Sequence, residues 1–506
     1  MNKKVINLNE LKIYCQKQKK LKKKIVLAHG TFDLLHIGHI KHLKYAKNSG
    51  DILIVTITAD KYVKKGPNRP YFNQVNRAEM LSTLDFIDKV SIVNSFSAIP
   101  AIENIKPNYY IKGIEYKNEN NDLTKKIGHE KSVLNKHGGK IIYSNEETFS
   151  SSNLLNNFFS ERSLILKNKI KKINRKNFLK KMLKKEKEIE NIKICLIGDS
   201  IFDVYRYVSP MGKSPKENMI SNLFEKEDIF CGGILAAANN LSSFCNKIDV
   251  VSYAYSSNKQ KKLIKKSLNK KINLHNFKKA HSPVTTKIRY VEKGFNRKLF
   301  SVYKMEDNPI NKIYEKKVTN FLNKNLNKYD LVIVTDFGHG FISEKMIDII
   351  RKKSKFLCVN AQSNSANYGF NLISKYKKTN YGCIDLPEAK LAIKNKFKSP
   401  VDIALTEIPK VVKCDTFALT LGKKGCLIRN NNKVFSLDAL NNNIIDTMGA
   451  GDAFFVITSL YVYKKFTIDE LALIGNCAGS LKVNILGHEK RIEKEDLLTM
   501  IKTVLM

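Results

Sequence analysis

From Lys24 to Tyr143, short unbroken apolar runs alternate with longer stretches of mixed polarity: KIVLAHG, IKHLKYAK, DILIVTITAD, VSIVNS, YYIKG and KIIYSN. Continuous apolar runs of this length suit strands covered on both faces, whereas a half-exposed strand would alternate. The pattern predicts an α/β domain built on a parallel sheet covered on both faces. Ahead of it, Leu8, Leu11 and Cys15 recur at helical spacing, predicting a lead-in helix within residues 1–23. A second series opens at KICLIGD and runs through DVVSYAY, LVIVTDFGHG, FLCVN and FALTLGKKGCLIR to the apolar stretch AFFVITSLYVY after Ala450. It predicts a second α/β domain over residues 191–506. Residues 159–190 lack glycine and proline and are dominated by lysine and glutamate. A solvated helical connector and a disordered tether both fit them.

Composition changes this picture little. At 506 residues the chain is longer than one hydrophobic core serves well, in keeping with two domains. No apolar run approaches the ~20 residues of a membrane-spanning helix. The basic N-terminal stretch leads into only a short apolar segment, so no export signal is read. Nine cysteines without a CxxC pair or zinc spacing predict reduced thiols and a cytoplasmic, soluble protein. Cys195 and Cys358, inside apolar strands, read as small core residues.

The formal charge of +42 would suit nucleic acid. Lysine, asparagine and isoleucine are, however, abundant along the whole chain, and no helix-turn-helix, finger or stacking platform accompanies them. The expected partners are small anionic molecules drawn in by the field, with no nucleic acid and no membrane. Homo-oligomerisation is left open.

Two segments carry chemistry. In GTFDLLHIGHIKHLKYAK a strand feeds a turn, and the turn feeds a helix starting near Gly38. Ligands of open parallel sheets bind at the strands' C-terminal ends, where a helix N-terminus carries about half a positive charge. His36 and His39 bracket Gly38 there as hydrogen-bond donors, and Gly30, Thr31 and Phe32 in the turn are further candidate nucleotide contacts. In the second domain, Asp446-Thr447-Met448-Gly449-Ala450-Gly451-Asp452 precedes the apolar helix. Thr447, Gly449, Ala450 and Gly451 are small enough for successive N–H groups to converge on a phosphate. Asp452 at the mouth of that anion hole is a candidate base toward a sugar hydroxyl.

Residues 24 to about 158 resemble the cytidylyltransferase-like HxGH nucleotidyltransferases, which implies a small Rossmann-like domain over residues 24–158. The resemblance is carried by GTFDLLHIGHIKHLKYAK, DILIVTITAD, GPNRPYFNQVNRAEML, KPNYYIKG and TFSSSNLL in the family's order. It implies that a sugar- or polyol-phosphate oxygen attacks the α-phosphorus of a nucleoside triphosphate and releases pyrophosphate. It further implies that His36 and His39 act as catalytic donors, that Lys47 and Arg77 hold triphosphate oxygens, and that Ser150, Ser151 and Ser152 cap a later helix near the phosphates. Whether ATP or CTP is used stays open.

Residues 191–506 resemble the ribokinase-like carbohydrate kinases of the phosphofructokinase B family. DTMGAGD is joined by GDSIFDVYRYV with Asp203, CGG at 231–233, TTKIRYV with Arg289, TDFGHG with Asp336 and TLGKKG at 420–425. The resemblance implies Asp203, Gly232, Gly233 and Arg289 on the sugar, ATP as phosphoryl donor, and Mg2+. Three departures stand out. The family's asparagine after the double glycine is shifted or lost, its DPK-like segment reads Asn360-Ala361-Gln362, and its NxxE motif reads Asp385-Leu386-Pro387-Glu388. Asp385 and Glu388 are the candidates for indirect metal contact.

Together the halves resemble the bifunctional heptose kinase/adenylyltransferases with the order of the parts reversed, which implies synthesis of an ADP-heptose-like nucleotide sugar. A CTP-dependent first half and a non-catalytic regulatory half are the alternatives.

Overall fold

The computed structural model describes residues 3–63, 69–117, 126–144, 164–173, 175–279, 282–294, 297–440 and 444–505. The chain forms two compact units, Met1–Ile170 with Leu498–Met506, and Lys171–Leu497. Among the described residues, no helix is long and apolar enough to cross a membrane.

The first unit alternates helices α1 (Leu8–Lys20), α2 (Ile37–Asn48), α3 (Gln74–Ser82), α4 (Ile99–Ile105) and α5 (Lys126–Lys136) with strands β1 (Ile25–Gly30), β2 (Ile52–Thr58), β3 (Lys89–Val93), β4 (Tyr109–Gly113) and β5 (Lys140–Ser144). The strands are all parallel, in the order β3-β2-β1-β4-β5. Strand side chains alternate between faces. Ile25, Leu27, Ile52 and Ile54 pack with Leu11 and Cys15 of α1 and with α4, while Val26, Ala28, Leu53 and Val55 pack with Leu43 of α2 and Leu81 of α3. Both faces are thus dry, as the unbroken apolar runs require. The strand order reverses between β1 and β4, which opens a crevice at their C-terminal ends. Residues 7–21 form the expected helix, which starts with an Asn7–Glu10 capping box.

Within the segment expected as a connector, the described residues form α6 (Leu164–Lys172) and α7 (Arg175–Glu190). Leu166, Ile170, Ile173, Phe178, Met182 and Ile189 are buried at helical spacing, and the lysines take the opposite side. Phe178 meets Phe466 edge-on at 6.2 Å.

In the second unit a nine-stranded sheet runs β10-β9-β6-β13-β14-β15-β16-β17-β18. Its strands are β6 (Lys193–Gly198), β9 (Lys247–Ser252), β10 (Ile272–Asn276), β13 (Leu331–Asp336), β14 (Leu357–Ala361), β15 (Lys378–Asp385), β16 (Lys413–Thr420), β17 (Cys426–Asn430) and β18 (Lys433–Leu437). All neighbours pair in parallel except β16–β17 and β17–β18, so β17 alone runs against the rest. A separate four-stranded sheet, β12-β11-β7-β8, is formed by β7 (Ser200–Lys213), β8 (Ile220–Gly233), β11 (Thr286–Glu292) and β12 (Arg297–Lys304). Four further helices matter for the site: α8 (Ile234–Leu241), α9 (Leu386–Ala392), α10 (Ala450–Tyr463) and α11 (Ile468–Lys482). Helix α10 is buried along nearly its whole length, which explains its unbroken apolar sequence.

Candidate active sites

At the crevice of the first unit, Gly30 ends β1, and the chain turns through Thr31 and Phe32, the latter in the left-handed region with φ 48°. His36 caps α2, its Nδ1 accepting from the Gly38 N–H at 3.1 Å. That bond places the proton of the neutral ring on Nε2, and burial lowers the imidazole's pKa and so favours the neutral form. His39, one turn on, stacks on His36 with ring centroids 3.9 Å apart and meets Phe32 edge-on at 5.2 Å. The structure therefore brings Gly30, Thr31, Phe32, His36, Gly38 and His39 together at one helix N-terminus.

Two cationic candidates have partners of their own. Lys47 is in the last turn of α2, about 15 Å along the helix from its start at 1.5 Å per residue. Its ammonium is bound by Asp88 Oδ2 and the Asp51 carbonyl, both at 2.7 Å. Lys47 stands eight positions beyond His39, about 12 Å further along the same helix. Arg77 lies near the crevice but is fully buried. Its Nε donates to the Phe72 carbonyl at 3.0 Å, its Nη1 to the Thr31 carbonyl, and its Nη2 to the Thr58 carbonyl at 2.8 Å and Asp60 Oδ1 at 2.6 Å. The guanidinium braces the turns after β1 and β2. Its donors are directed at these four acceptors. Ser150, Ser151 and Ser152 lie outside the described residues.

Three residues on the crevice side were not anticipated. Asp33 Oδ1 accepts from the Tyr71 and Phe72 N–H groups at 2.7 and 3.0 Å, which fixes the segment leading into α3. His42 Nδ1 lies 2.6 Å from Ser144 Oγ, and burial together with Lys112 pulls its pKa down to about 4. Lys112 pairs with Glu130 at 3.1 Å. The H-x-x-H-x-x-H spacing of His36, His39 and His42 on one helix face was the signal for His42.

In the second unit the DTMGAGD turn leads into α10. Gly449 is its N-cap with φ 68°, and a Cβ there would stand 2.7 Å from His488 Cε1. Asp446 anchors the turn. Its Oδ2 accepts from Tyr205 Oη at 2.6 Å and from the Gly487 N–H at 2.9 Å, and its Oδ1 from Lys298 Nζ at 2.6 Å. Asp452 is half-buried, its Oδ1 accepts from Gln362 Nε2, and burial raises its pKa. Thr447 and Gly451 are exposed at the turn, with Ala450 opening the helix between them.

Asp203 of β7 binds Arg289 Nη1 through Oδ1 at 2.5 Å and lies 3.5 Å from His488 Nε2 through Oδ2. Burial alone would push this carboxyl up, but His488 and Arg289 outweigh it and hold it down to about 2. A Cβ on Gly232 would stand 2.0 Å from Asp203 Oδ2, so the strand can pass only as glycine. Gly233 caps α8. The structure thus places Asp203 against both Arg289 and Gly232, while Gly233 lies against Asp199 and Ile201. The asparagines after the double glycine are committed to the scaffold: Asn239 bonds the Ser267 carbonyl and the Asn269 N–H, and Asn240 accepts from the Ile492 N–H. His488 and Lys298 were not foreseen, because neither sits in a motif and β12 is mostly exposed.

Asp385 and Glu388 form a capping box at the start of α9, and Glu388 Oε1 also accepts from the Ser363 N–H at 3.0 Å. Burial first, then the charges of Asp385 and Asp452, push the Glu388 carboxyl up to about 8. A dication would relieve this crowding of carboxylates. Mg2+ takes oxygen ligands, keeps several waters and uses one or two carboxylates plus phosphate oxygens, so the donor set fits it.

These two assemblies define a chain with a nucleotidyltransferase-type site followed by a carbohydrate-kinase-type site. Residues 191–487, more than half of the chain, match the pfkB family carbohydrate kinases, and the chain belongs to that family. Residues 27–157 match the cytidylyltransferase-like family. The chain is 37% identical over 140 residues to the bifunctional protein HldE of Geobacter metallireducens, a match covering 27% of each chain. It is 40% identical over 115 residues to HldE of Campylobacter fetus, covering 22% of this chain and 24% of that protein. The matches therefore span about a quarter of those curated relatives' length, and relative to them the domain order here is reversed.

Among solved structures, ribokinase from Thermotoga maritima is similar at 16% identity and TM-score 0.47, covering 62% of this chain and 99% of that one. Phosphofructokinase-2 from Escherichia coli, in complex with substrates and products, gives 12% identity and TM-score 0.49 over 61% and 98%.

The contact at Gly232 makes a first prediction. Gly232→Ala is expected to drive Asp203 off Arg289, lowering ADP release by at least about tenfold, at an overpacking cost of about 1–3 kcal/mol. Pyrophosphate release assayed on the same sample is expected to be unchanged.

Proposed function

We propose that this chain makes a nucleotide-activated sugar in two steps, phosphorylating a sugar or sugar phosphate with ATP in the second unit and transferring a nucleotidyl group to a sugar phosphate in the first. The observation that carries the reading is that one chain assembles both sites from their motif residues: stacked His36 and His39 at a helix N-terminus, and Asp452 beside a glycine-rich anion turn. An ADP-heptose-like product is supported by the similarity to HldE. Free cysteines, eight of the nine buried, agree with a reducing cytoplasm, and small-molecule substrates are the expected partners.

In the kinase step, the acceptor hydroxyl is oriented by Asp203, which Arg289 and His488 hold in place. Its oxygen attacks the γ-phosphorus, its proton passes to Asp452, and ADP leaves. Gln362 on Oδ1 leaves Oδ2 of Asp452 to take the proton, and a carboxyl raised toward neutrality is a better base than an ordinary one. The N–H groups at the start of α10 receive the phosphates. Mg2+ entering with ATP would be held through water by Glu388 and Asp385 and would screen phosphate charge. In the nucleotidyl step, an acceptor phosphate oxygen attacks the α-phosphorus, and pyrophosphate leaves. His36 and His39 donate to the phosphoryl oxygens as charge builds, with removal of such a donor costing about 3–4 kcal/mol.

The test is a substrate screen on the full chain with phosphorylated heptoses, pentoses and polyols, following ADP and pyrophosphate release, with ATP and CTP compared at the first site. No ADP with any acceptor, or no pyrophosphate from either triphosphate, would overturn the corresponding half. His39→Ala is expected to lower pyrophosphate release by about 10²- to 10³-fold and spare ADP release. A His39→Ala chain that keeps both activities would make the first unit non-catalytic.

A further inference from the structure

The kinase-type site contains a buried cation that the steps above do not use. Lys482, the last residue of α11, is 1% exposed. Its ammonium donates to a carbonyl, that of Gly487, in place of a carboxylate. Burying an ammonium is costly, and burial pulls this one down to about 8. The groups that face it are Asp446 ahead of α10, Asp452 within α10 and Asp203 on β7, with Lys298 of β12 opposing them.

Its position relative to the anion turn is specific. A Cβ built on Gly449 would stand 3.4 Å from Lys482 Cε, on the same side as His488, so the lysine stem lies against the backbone that caps α10. The turn and the lysine's own loop are tied together. The Ile445 and Asp446 N–H groups both donate to the Val483 carbonyl at 2.9 and 3.0 Å, and the Gly487 N–H donates to Asp446 Oδ2 at 2.9 Å. Lys482 closes that loop by holding the Gly487 carbonyl. A cation placed behind the positive end of a helix is opposed by the helix dipole when the site is empty, and becomes favourable once an anion arrives.

We propose that Lys482 is a built-in monovalent cation of the kinase site, a positioning residue that fixes the 483–488 loop beneath the Thr447–Gly451 turn and adds its charge where the ATP phosphates are received. This rests on the kinase reading of the second unit.

The test follows ADP release from MgATP by the full chain between pH 6.5 and 9.5, with whichever phosphorylated heptose, pentose or polyol gives the highest rate. kcat/KM for ATP reports groups of the free enzyme. For the unmodified chain it is expected to fall about tenfold per pH unit above about 8 as the ammonium loses its proton. Lys482→Met, close in shape but uncharged, is expected to lower kcat/KM for ATP at pH 7 at least tenfold and to remove the fall. Lys482→Arg, which stays charged, is expected to recover most of the activity and carry it beyond pH 9.

A Lys482→Met chain with unmodified kcat/KM and an unmodified pH profile overturns the proposal and leaves the kinase reading intact. No ADP release from the unmodified chain with any acceptor removes both. Should Lys482→Met fail to fold, Lys482→Arg decides: a fall that persists near pH 8 overturns the proposal, and its disappearance supports it.

Discussion

Asp452→Asn is expected to lower ADP release from ATP by about 10²- to 10⁴-fold, the usual worth of a positioned general base, while pyrophosphate release stays as it was. The expectation comes from what surrounds the carboxylate. Burial raises its pKa, Gln362 donates to one of its oxygens, and the helix start at Gly449–Ala450 lies within a turn of it. Asparagine keeps the size and the ability to accept from Gln362 but cannot take a proton. KM for ATP is therefore expected to change by less than about threefold, so that the loss sits in kcat, as for a group that acts only as the acceptor oxygen attacks. Parallel initial-rate measurements of ADP and pyrophosphate on one preparation check this. An Asp452→Asn chain that retains a tenth or more of its kcat would move the base elsewhere.

The strands that were legible in the sequence are those buried on both faces. β1, β2, β6, β13 and β14 read as unbroken apolar runs because both surfaces are dry, and the HIGH and DTMGAGD segments stood out because each directly precedes or opens a helix. The four-stranded sheet was not legible for the same physical reason in reverse. Most of β8, in SNLFEKEDI, and all of β12 are solvated or only half-covered, so charges interrupt every apolar run. The surroundings of Lys47 and Arg77 were not legible either, because partners are set in three dimensions: Lys47 meets Asp88 and the Asp51 carbonyl at the end of α2, and Arg77 directs its donors to three backbone carbonyls and Asp60. His488 and Lys482 could not be found from spacing, because they enter the site on a loop and a helix end some thirty residues beyond the turn they support.

Substitutions of Arg77 carry the largest expected effect on stability, and even Arg77→Lys, which conserves charge, is expected to destabilise the first unit. The guanidinium satisfies the carbonyls of Thr31, Thr58 and Phe72 and pairs with Asp60, from a position with no exposure to water. A lysine ammonium has three donors on a flexible stem and cannot span the same fork, so at least one buried carbonyl is left unsatisfied at a cost of about 1–3 kcal/mol, with the strain of a misfitted charge added. Arg77→Ala goes further, leaving Asp60 and three carbonyls without their donor, and is expected to cost about 3–5 kcal/mol. For a unit of this size that corresponds to a fall of roughly 6–20 °C in its transition by calorimetry on the full chain, at about 2–4 °C per kcal/mol. Both turns hold the crevice, Thr31 ahead of His36 and Thr58 at the end of β2. Pyrophosphate release is therefore expected to fall along with stability, through a loss of kcat. A direct phosphate ligand would behave differently: Arg77→Lys would melt as the unmodified chain does and raise KM for the triphosphate alone, and that result would return Arg77 to the binding site.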